Sequence, residues 1–217
     1  LGDSTLCASC PMQISGAELE NITAATLTVD NANGAIFVDN VTALNSQKIG
    51  AVTLNSGRHL SFRGNASTFN ALTANAKTDM DVFVSVTTVT GDLILTGDSD
   101  ASGGSRFLLF SDPVLSSAGD IILTSGSGGT IDASVAADMD AAGSIIINAD
   151  LDVVGAAMLT AGGSVTLGGD FAAGGNVVLT GATGINVNGF LTGDGSVTLD
   201  ADGAINIAGD LTAADDL

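Results

Sequence analysis

The side chains best equipped for chemistry stand together in one short run, GRHLSFRG, which holds Arg58, the chain's single histidine His59, and Arg63. A lyase acting on acidic sugars needs a lysine or arginine to take a proton and further cations to neutralise the substrate carboxylate. The other cations, Lys48, Lys77 and Arg106, are scattered. In an extended strand Leu60 and Phe62 would point inward, with His59, Ser61 and Arg63 outward. One basic spot on an otherwise acidic chain reads as a solvated face before it reads as a site.

A hydrolase would instead pair carboxylates across a cleft. Asp-x-Asp pairs occur at Asp79/Asp81, Asp98/Asp100, Asp138/Asp140, Asp150/Asp152 and Asp200/Asp202. Positions i and i+2 of a strand face the same way, so each pair could share a cation or a proton. Aspartate also suits turns, and turn chemistry is the expected reason for them. Calcium at the TGDSD and DAD loops is the alternative. Cys7 and Cys10 form CASC with no second pair and no adjacent histidine, so a small disulfide or two free thiols is expected rather than zinc or redox chemistry. With one histidine, a Ser-His or Cys-His relay has little to draw on. No residue is therefore assigned a catalytic, cofactor-binding or metal-binding role, and a non-enzyme is expected.

Composition limits the scaffold that could carry such groups. Apolar residues are 45% of the 217, enough for a core, but they are almost all aliphatic: there are eight Phe and no Trp or Tyr. With 29 Gly and two Pro, this favours short strands joined by tight turns around a narrow interior. Carboxylates outnumber cations 24 to five, a net charge of −19 that repels phosphate backbones and anionic lipid. Nucleic-acid binding is thereby excluded as an expectation. No apolar run reaches the eighteen residues a membrane helix needs, so membrane insertion is not expected either. The start, LGDSTLCASC, has neither a basic nor an apolar stretch of the signal-peptide kind, which suggests a processed product or a piece of a longer chain.

A repeat organises the sequence. Setting GNVVLTGATGINVNGFLTGD (175–194) above GSVTLDADGAINIAGDLTAA (195–214) aligns Val177 with Val197, Leu179 with Leu199, Ile185 with Ile205, Asn186 with Asn206 and Leu191 with Leu211. The block GSIIINADLDVVGAAMLTAG (143–162) is placed in the same frame through Ile145, Ile147, Val153, Leu159 and Thr160. Similar openings recur at Gly50, Gly91 and Gly119, with spacings of 28 and 24 residues from Gly91 to Gly119 to Gly143. The excess lies in TGDSDASGGSR and TSGSGGT, read as insertions on one face. One interval, Gly163 to Gly175, is only twelve residues and does not fit.

Alternating aliphatics over three to five residues, broken by Gly or Asp-Gly, mark strands too short to bury a face alone. They can do so if the chain winds into a coil and each strand pairs in parallel with its equivalent one turn on. The expected fold is an all-β, right-handed parallel β-helix of about twenty residues per coil, a single domain over 1–217, roughly 40–50 Å long. Glycines would supply corners of positive φ. No amphipathic helix is read that could cap the ends, so the open edges should pair with further repeats or another copy.

These blocks, with ISGAELENITAATLTV (14–29) and STFNALTANAKTDMDVFVSVTTVTGDLILTGDSD (67–100), resemble the shaft repeats of filamentous-haemagglutinin-like proteins, bacterial exoproteins exported by two-partner secretion. The resemblance covers nearly the whole chain and is specific for the style of repeat. It implies a right-handed β-helix, secretion to the cell surface or beyond, and a role as adhesin shaft or matrix filament, with no catalytic residues. The family's export domain and anchoring end have no counterpart, so the chain would be a segment of the shaft. The expected partners are its own neighbouring repeats, by end-to-end or lateral association, and the surface of a host or neighbouring cell. The alternative is a carbohydrate-binding or polysaccharide-degrading β-helix using GRHLSFR or the 91–119 insertion, although aromatic platforms of Trp or Tyr are missing. Ice binding would need a regular outward Thr array; Thr166 and Thr198 occupy similar SVTL slots, but Val178 and Ile122 interrupt the column.

Overall fold

The computed structural model describes residues 1–2, 14–101, 106–126 and 129–216. Its strands fall into three parallel sheets that run the length of a coil. The first sheet takes nine strands in chain order: Ala24–Asn31, Ile49–Ser56, Leu72–Ala76, Leu93–Gly97, Ile121–Ser125, Ile145–Asn148, Ser164–Leu167, Gly184–Val187 and Ala204–Ile207. The second takes Ile36–Val38, Leu60–Phe62, Met80–Val82, Phe107–Leu109, Thr130–Ala133, Asp150–Val153, Phe171–Ala173, Leu191–Gly193 and Leu211–Ala213. The third takes seven, from Ser67–Phe69 through Val86–Thr88, Val114–Ser117, Ala137–Ala141, Ala157–Ala161 and Val177–Gly181 to Val197–Ala201. The chain is a parallel β-solenoid of nine coils, numbered here by their first-sheet strands.

Alternation explains why such short strands hold. In the eighth coil Val177, Leu179, Ile185, Val187 and Leu191 are all buried, while the residues between them face out. Each inward side chain stacks on its counterpart one coil away: Val177 on Val197, Ile185 on Ile205, Leu191 on Leu211. Burying one such aliphatic side chain contributes about 1.5–3 kcal/mol. A lone coil exposes both of its ends and gains little of this, so stability accrues by stacking. The few large rings sit where the interior admits them: Phe62, Phe69, Phe107 and Phe171 are fully buried.

Two one-turn helices, α1 (Gly16–Leu19) and α2 (Ala43–Ser46), stand in for third-sheet strands at the start of the solenoid, with α1 packed on α2 and α2 on Ser67–Phe69. Both begin with a capping box, Ser15 with Glu18 and Thr42 with Asn45. The two helices replace third-sheet strands in the first two coils, where the first-sheet edge strand Ala24–Asn31 stays mostly exposed. At the other end nothing stacks on the ninth coil among the described residues, and Ile205, an inward position, is 43% exposed.

The repeat frame differs from the one read in sequence. Ile145 pairs with Val165, not with the Val177 position, and Leu159 pairs with Leu179. The block 143–162 begins at the corner leading into the first sheet, whereas 175–194 and 195–214 begin at the corner leading into the third. Both corners spell glycine, a small polar residue, then aliphatics, which made the slip of twelve residues. The short interval from Gly163 to Gly175 is the distance between two corners of one coil. The two longer spacings are insertions, as expected, and both fall between a first-sheet strand and the next second-sheet strand.

Corner glycines are needed for space more than for backbone sign. Among described glycines only Gly2, Gly64 and Gly184 have positive φ. A Cβ on Gly163 would lie 2.5 Å from Ser144 Oγ, and one on Gly119 would lie 2.2 Å from Asp92 Oδ1. Those oxygens accept the backbone N–H of the residue after the glycine, one coil on: Ser164 N–H donates to Ser144 Oγ (3.1 Å) and Asp120 N–H to Asp92 Oδ1 (2.9 Å). The same device ties the other two corners, where Asp170 N–H donates to Asp150 Oδ1 (2.9 Å) and Ser196 N–H to Asn176 Oδ1 (3.0 Å). The glycine-polar dipeptide is therefore a coil-to-coil clamp: the polar side chain closes over the glycine of the next coil and satisfies a corner N–H.

Candidate functional site

GRHLSFRG forms the Leu60–Phe62 strand and its flanks on the second sheet. Leu60 and Phe62 face in, as expected, and His59, Ser61 and Arg63 occupy outward positions. Register then surrounds them with groups from neighbouring coils: Ser61 lies between Phe37 and Asp81, and Asp81 is followed by Leu108 and Asp132. Parallel pairing thus places on one face residues far apart in the chain.

The contacts are specific. His59 Nε2 lies 2.8 Å from Asp81 Oδ2, the Arg63 guanidinium sits 3.7 Å above the centre of the Phe37 ring, and Phe37 meets the His59 ring edge-on with centroids 6.0 Å apart. One coil on, Phe83 stacks on Phe110 at 4.5 Å with the rings 4° from parallel, and Phe83 is exposed. Arg106 N–H donates to Asp79 Oδ1 at 3.0 Å. Burial raises the Asp132 carboxyl above its usual range; the charge of Asp152 adds to this and the Arg106 guanidinium opposes it.

This arrangement offers an imidazole oriented by a carboxylate, guanidinium donors, and a two-ring apolar platform. It does not make a serine relay: Ser61, though on the outer face, is only 1% exposed and its Oγ makes no hydrogen bond to His59 or any other group. Ser61 Oγ, Arg63 Nε and Asp81 Oδ1 are all buried without partners, so the patch has unused polar capacity beneath Arg63 and Phe37. The geometry suits hydrogen bonding and ring stacking with a ligand. The sequence groups Arg58, His59 and Arg63 and names Asp81 and Arg106 separately, but does not bring these two or the Phe83–Phe110 pair to that patch. The signal was present, since His59 and Asp81 are 22 residues apart, one coil plus two.

The aspartate pairs do not converge, and turn chemistry accounts for about half of their members: Asp79 and Asp150 accept corner N–H groups, Asp98 holds the insertion corner, and Asp100 and Asp202 lie in turns. Asp81, Asp138, Asp140, Asp152 and Asp200 lie within strands, on the outer faces of the second and third sheets. Asp98 sits at the insertion corner, 3% exposed, and Asp100 lies 3.6 Å from Lys77 Nζ. Among the described residues no three His, Cys, Asp or Glu side chains gather as a metal-binding group. An open hollow of about 340 Å³, lined by Ser125, Gly129, Asn148, Asp150 and Gly169 among others, holds one carboxylate, already engaged by Asp170 N–H. Cys7 and Cys10 lie outside the described residues.

The first sheet presents a different surface. Along its middle column stand Thr28, Thr53, Thr73, Ile94, Ile122, Ile146, Thr166, Asn186 and Asn206. Asn206 donates to Asn186 at 2.9 Å, and in the next column Asn75 donates to Asn55 at 2.9 Å. Thr166 and Thr198 are not equivalent, because Thr198 lies on the third sheet beside Val178.

Fold and register define the class, a three-sheeted parallel β-solenoid with inserted corners. Comparison with known proteins yields no matching family model, no matching curated protein and no matching solved structure.

Proposed function

We propose that the chain is a non-catalytic structural shaft, a segment of an extracellular or cell-surface adhesin or matrix filament. The observation that carries this reading is the continuity of the coil: one aliphatic core runs through nine coils, and clamps recur at each of the three corners, so the feature most strongly built into the sequence is length. The acidic surface suits a secreted rod that must stay soluble, and the resemblance to filamentous-haemagglutinin-like shafts supports export to the surface. The exposed edge of the ninth coil, with Asp210 at its corner where Asp150 and Asp170 clamp earlier coils, suits end-to-end continuation by further coils. Negative-stain microscopy of the purified chain tests the reading: rods or filaments are expected, and compact spheres alone would remove it.

A second reading, a carbohydrate-binding or carbohydrate-active surface, is favoured by the His59–Asp81, Arg63–Phe37 and Phe83–Phe110 group. Hydroxyls would meet the carboxylates and guanidinium, and a sugar ring would lie on the phenyl pair. A glycan array combined with a turnover assay on uronate polymers decides it; silence in both retires it. Calcium remains a proposal for the Asp98–Asp100 and Asp200–Asp202 loops, to be read as a calcium-dependent shift in melting temperature.

A further inference from the structure

We propose that the Asp112–Pro113 peptide bond is a self-cleaving site: in mild acid the Asp112 side chain breaks the chain there, and the folded solenoid speeds the break. The inference goes beyond the shaft reading and does not depend on it.

The bond sits in a corner that changes length. Between the second and third sheets, coil three uses residues 83–85 to pass from Val82 to Val86, whereas coil four uses 110–114 between the register equivalents Leu109 and Leu115. Coil five keeps the longer form, 134–138, between Ala133 and Met139. The step falls on Ser111 and Asp112, which both take a φ of 59°, while their counterparts Val135 and Ala136 do not have positive φ. They are the only adjacent non-glycine residues with positive φ among the described residues. Such backbone is uncommon for a residue with a Cβ, and the residue before a proline is pushed toward extended backbone, so Asp112 is off its preferred shape on two counts. Both sides are pinned: Phe110 N–H donates to Val82 O at 2.8 Å, Val114 N–H donates to Ser85 Oγ at 3.0 Å, and Pro113 is buried. The strain persists as long as the chain is folded.

The reactants are built into the dipeptide. An aspartate carboxylate reaches the main-chain carbonyl carbon of its own residue through a five-membered ring, and a proline nitrogen, more basic than that of an ordinary peptide bond, leaves readily once protonated. Asp112 Oδ attacks that carbon, the C–N bond to Pro113 breaks, and the proline nitrogen takes up a proton and departs as a secondary amine. Water then opens the cyclic anhydride, leaving Asp112 with two free carboxyl groups. The sum is hydrolysis of one peptide bond with water as the only other reactant. Asp112 is exposed, so water reaches the anhydride.

A proton donor stands close by. Asp138 pairs in register with Val114, the residue after Pro113, one coil on. Burial holds its carboxyl above the usual range, and the charges of Asp112 and Asp140 add to this; its register partners Val114 and Met158 bring no charge. Attack needs one carboxyl ionised and departure of proline needs another protonated. The rate should therefore pass through a maximum in mild acid, at about pH 4–5.

Intact-mass spectrometry of the full chain, incubated across a pH series with and without urea, tests the proposal. Fragments 1–112 and 113–217 are expected, together heavier than the 21.2 kDa chain by one water. At the optimum they should form about tenfold faster, or more, in the folded chain than in the same chain unfolded by urea, where the backbone strain is gone. That comparison needs no variant. Asp112→Ala should abolish the cut, and Ser111→Gly, which accepts positive φ, should slow it severalfold with an unchanged circular dichroism spectrum. Asp138→Asn should move the maximum to lower pH. A folded chain that stays intact across the series, cleavage no faster than in urea, or a cut between 112 and 113 that survives Asp112→Ala would overturn the proposal, and a pH profile unmoved by Asp138→Asn would remove the part given to Asp138.

Discussion

At the scale of single residues, the corner clamp accounts for a pattern that composition alone left ambiguous. Glycine before a small polar residue looked like turn chemistry, but at Gly163 the missing Cβ makes room for Ser144 Oγ from the coil before. Gly163→Ala should destabilise the chain by about 2 kcal/mol. Most of that loss should vanish in a Ser144→Ala background, where the next nearest atoms are 3.2 Å from the added Cβ. A urea-denaturation double-mutant cycle reads the coupling. Strand aspartates give a second prediction. Burial raises the carboxyls of Asp132 and Asp138, helped by Asp152 for the first and by Asp112 and Asp140 for the second. Their ionised forms are disfavoured in the fold, so the penalty is full at neutral pH and is relieved as pH falls through the raised values toward the ordinary carboxylate range. Thermal melts should show stability rising as pH is lowered from 7 into that range. Asp132→Asn and Asp138→Asn should each raise stability at pH 7 by a few tenths of a kcal/mol and flatten the slope.

Strands and corners show how far a sequence with strict alternation can be read, and where it cannot. Inward positions such as Val177, Ile185 and Leu191 were legible because a parallel coil pairs each strand with its own equivalent, so similarity in sequence became adjacency in space. The frame of 143–162 was not, because two different corners use the same dipeptide and only hydrogen-bond register tells them apart. The candidate site was half legible for a related reason. His59 and Arg63 flank one strand and Asp81 joins them by a regular step of twenty residues, but Phe110 meets Phe83 only across the insertion after Gly97, which breaks that count. Residues 144–163 make up one full coil, so deleting those twenty should leave a folded solenoid of eight coils with a lower melting temperature. Deleting only 144–153 should abolish cooperative unfolding, since it would bring third-sheet strands into first-sheet positions.

For the whole molecule, the proposed function follows from what repetition builds. Nine coils give a rod of about 38 Å with three distinct long faces. One of them holds the aromatic and cationic group. No single residue is required for a shaft to extend, which is consistent with chemistry-capable side chains being few and dispersed among the sheets. The most direct check of the shaft account is immunogold labelling of intact, unpermeabilised cells that make the protein, with antibody raised against the folded chain. The account predicts gold on the cell surface or on filaments outside it before any lysis. Label that appears only after permeabilisation, confined to the cell interior, would contradict it.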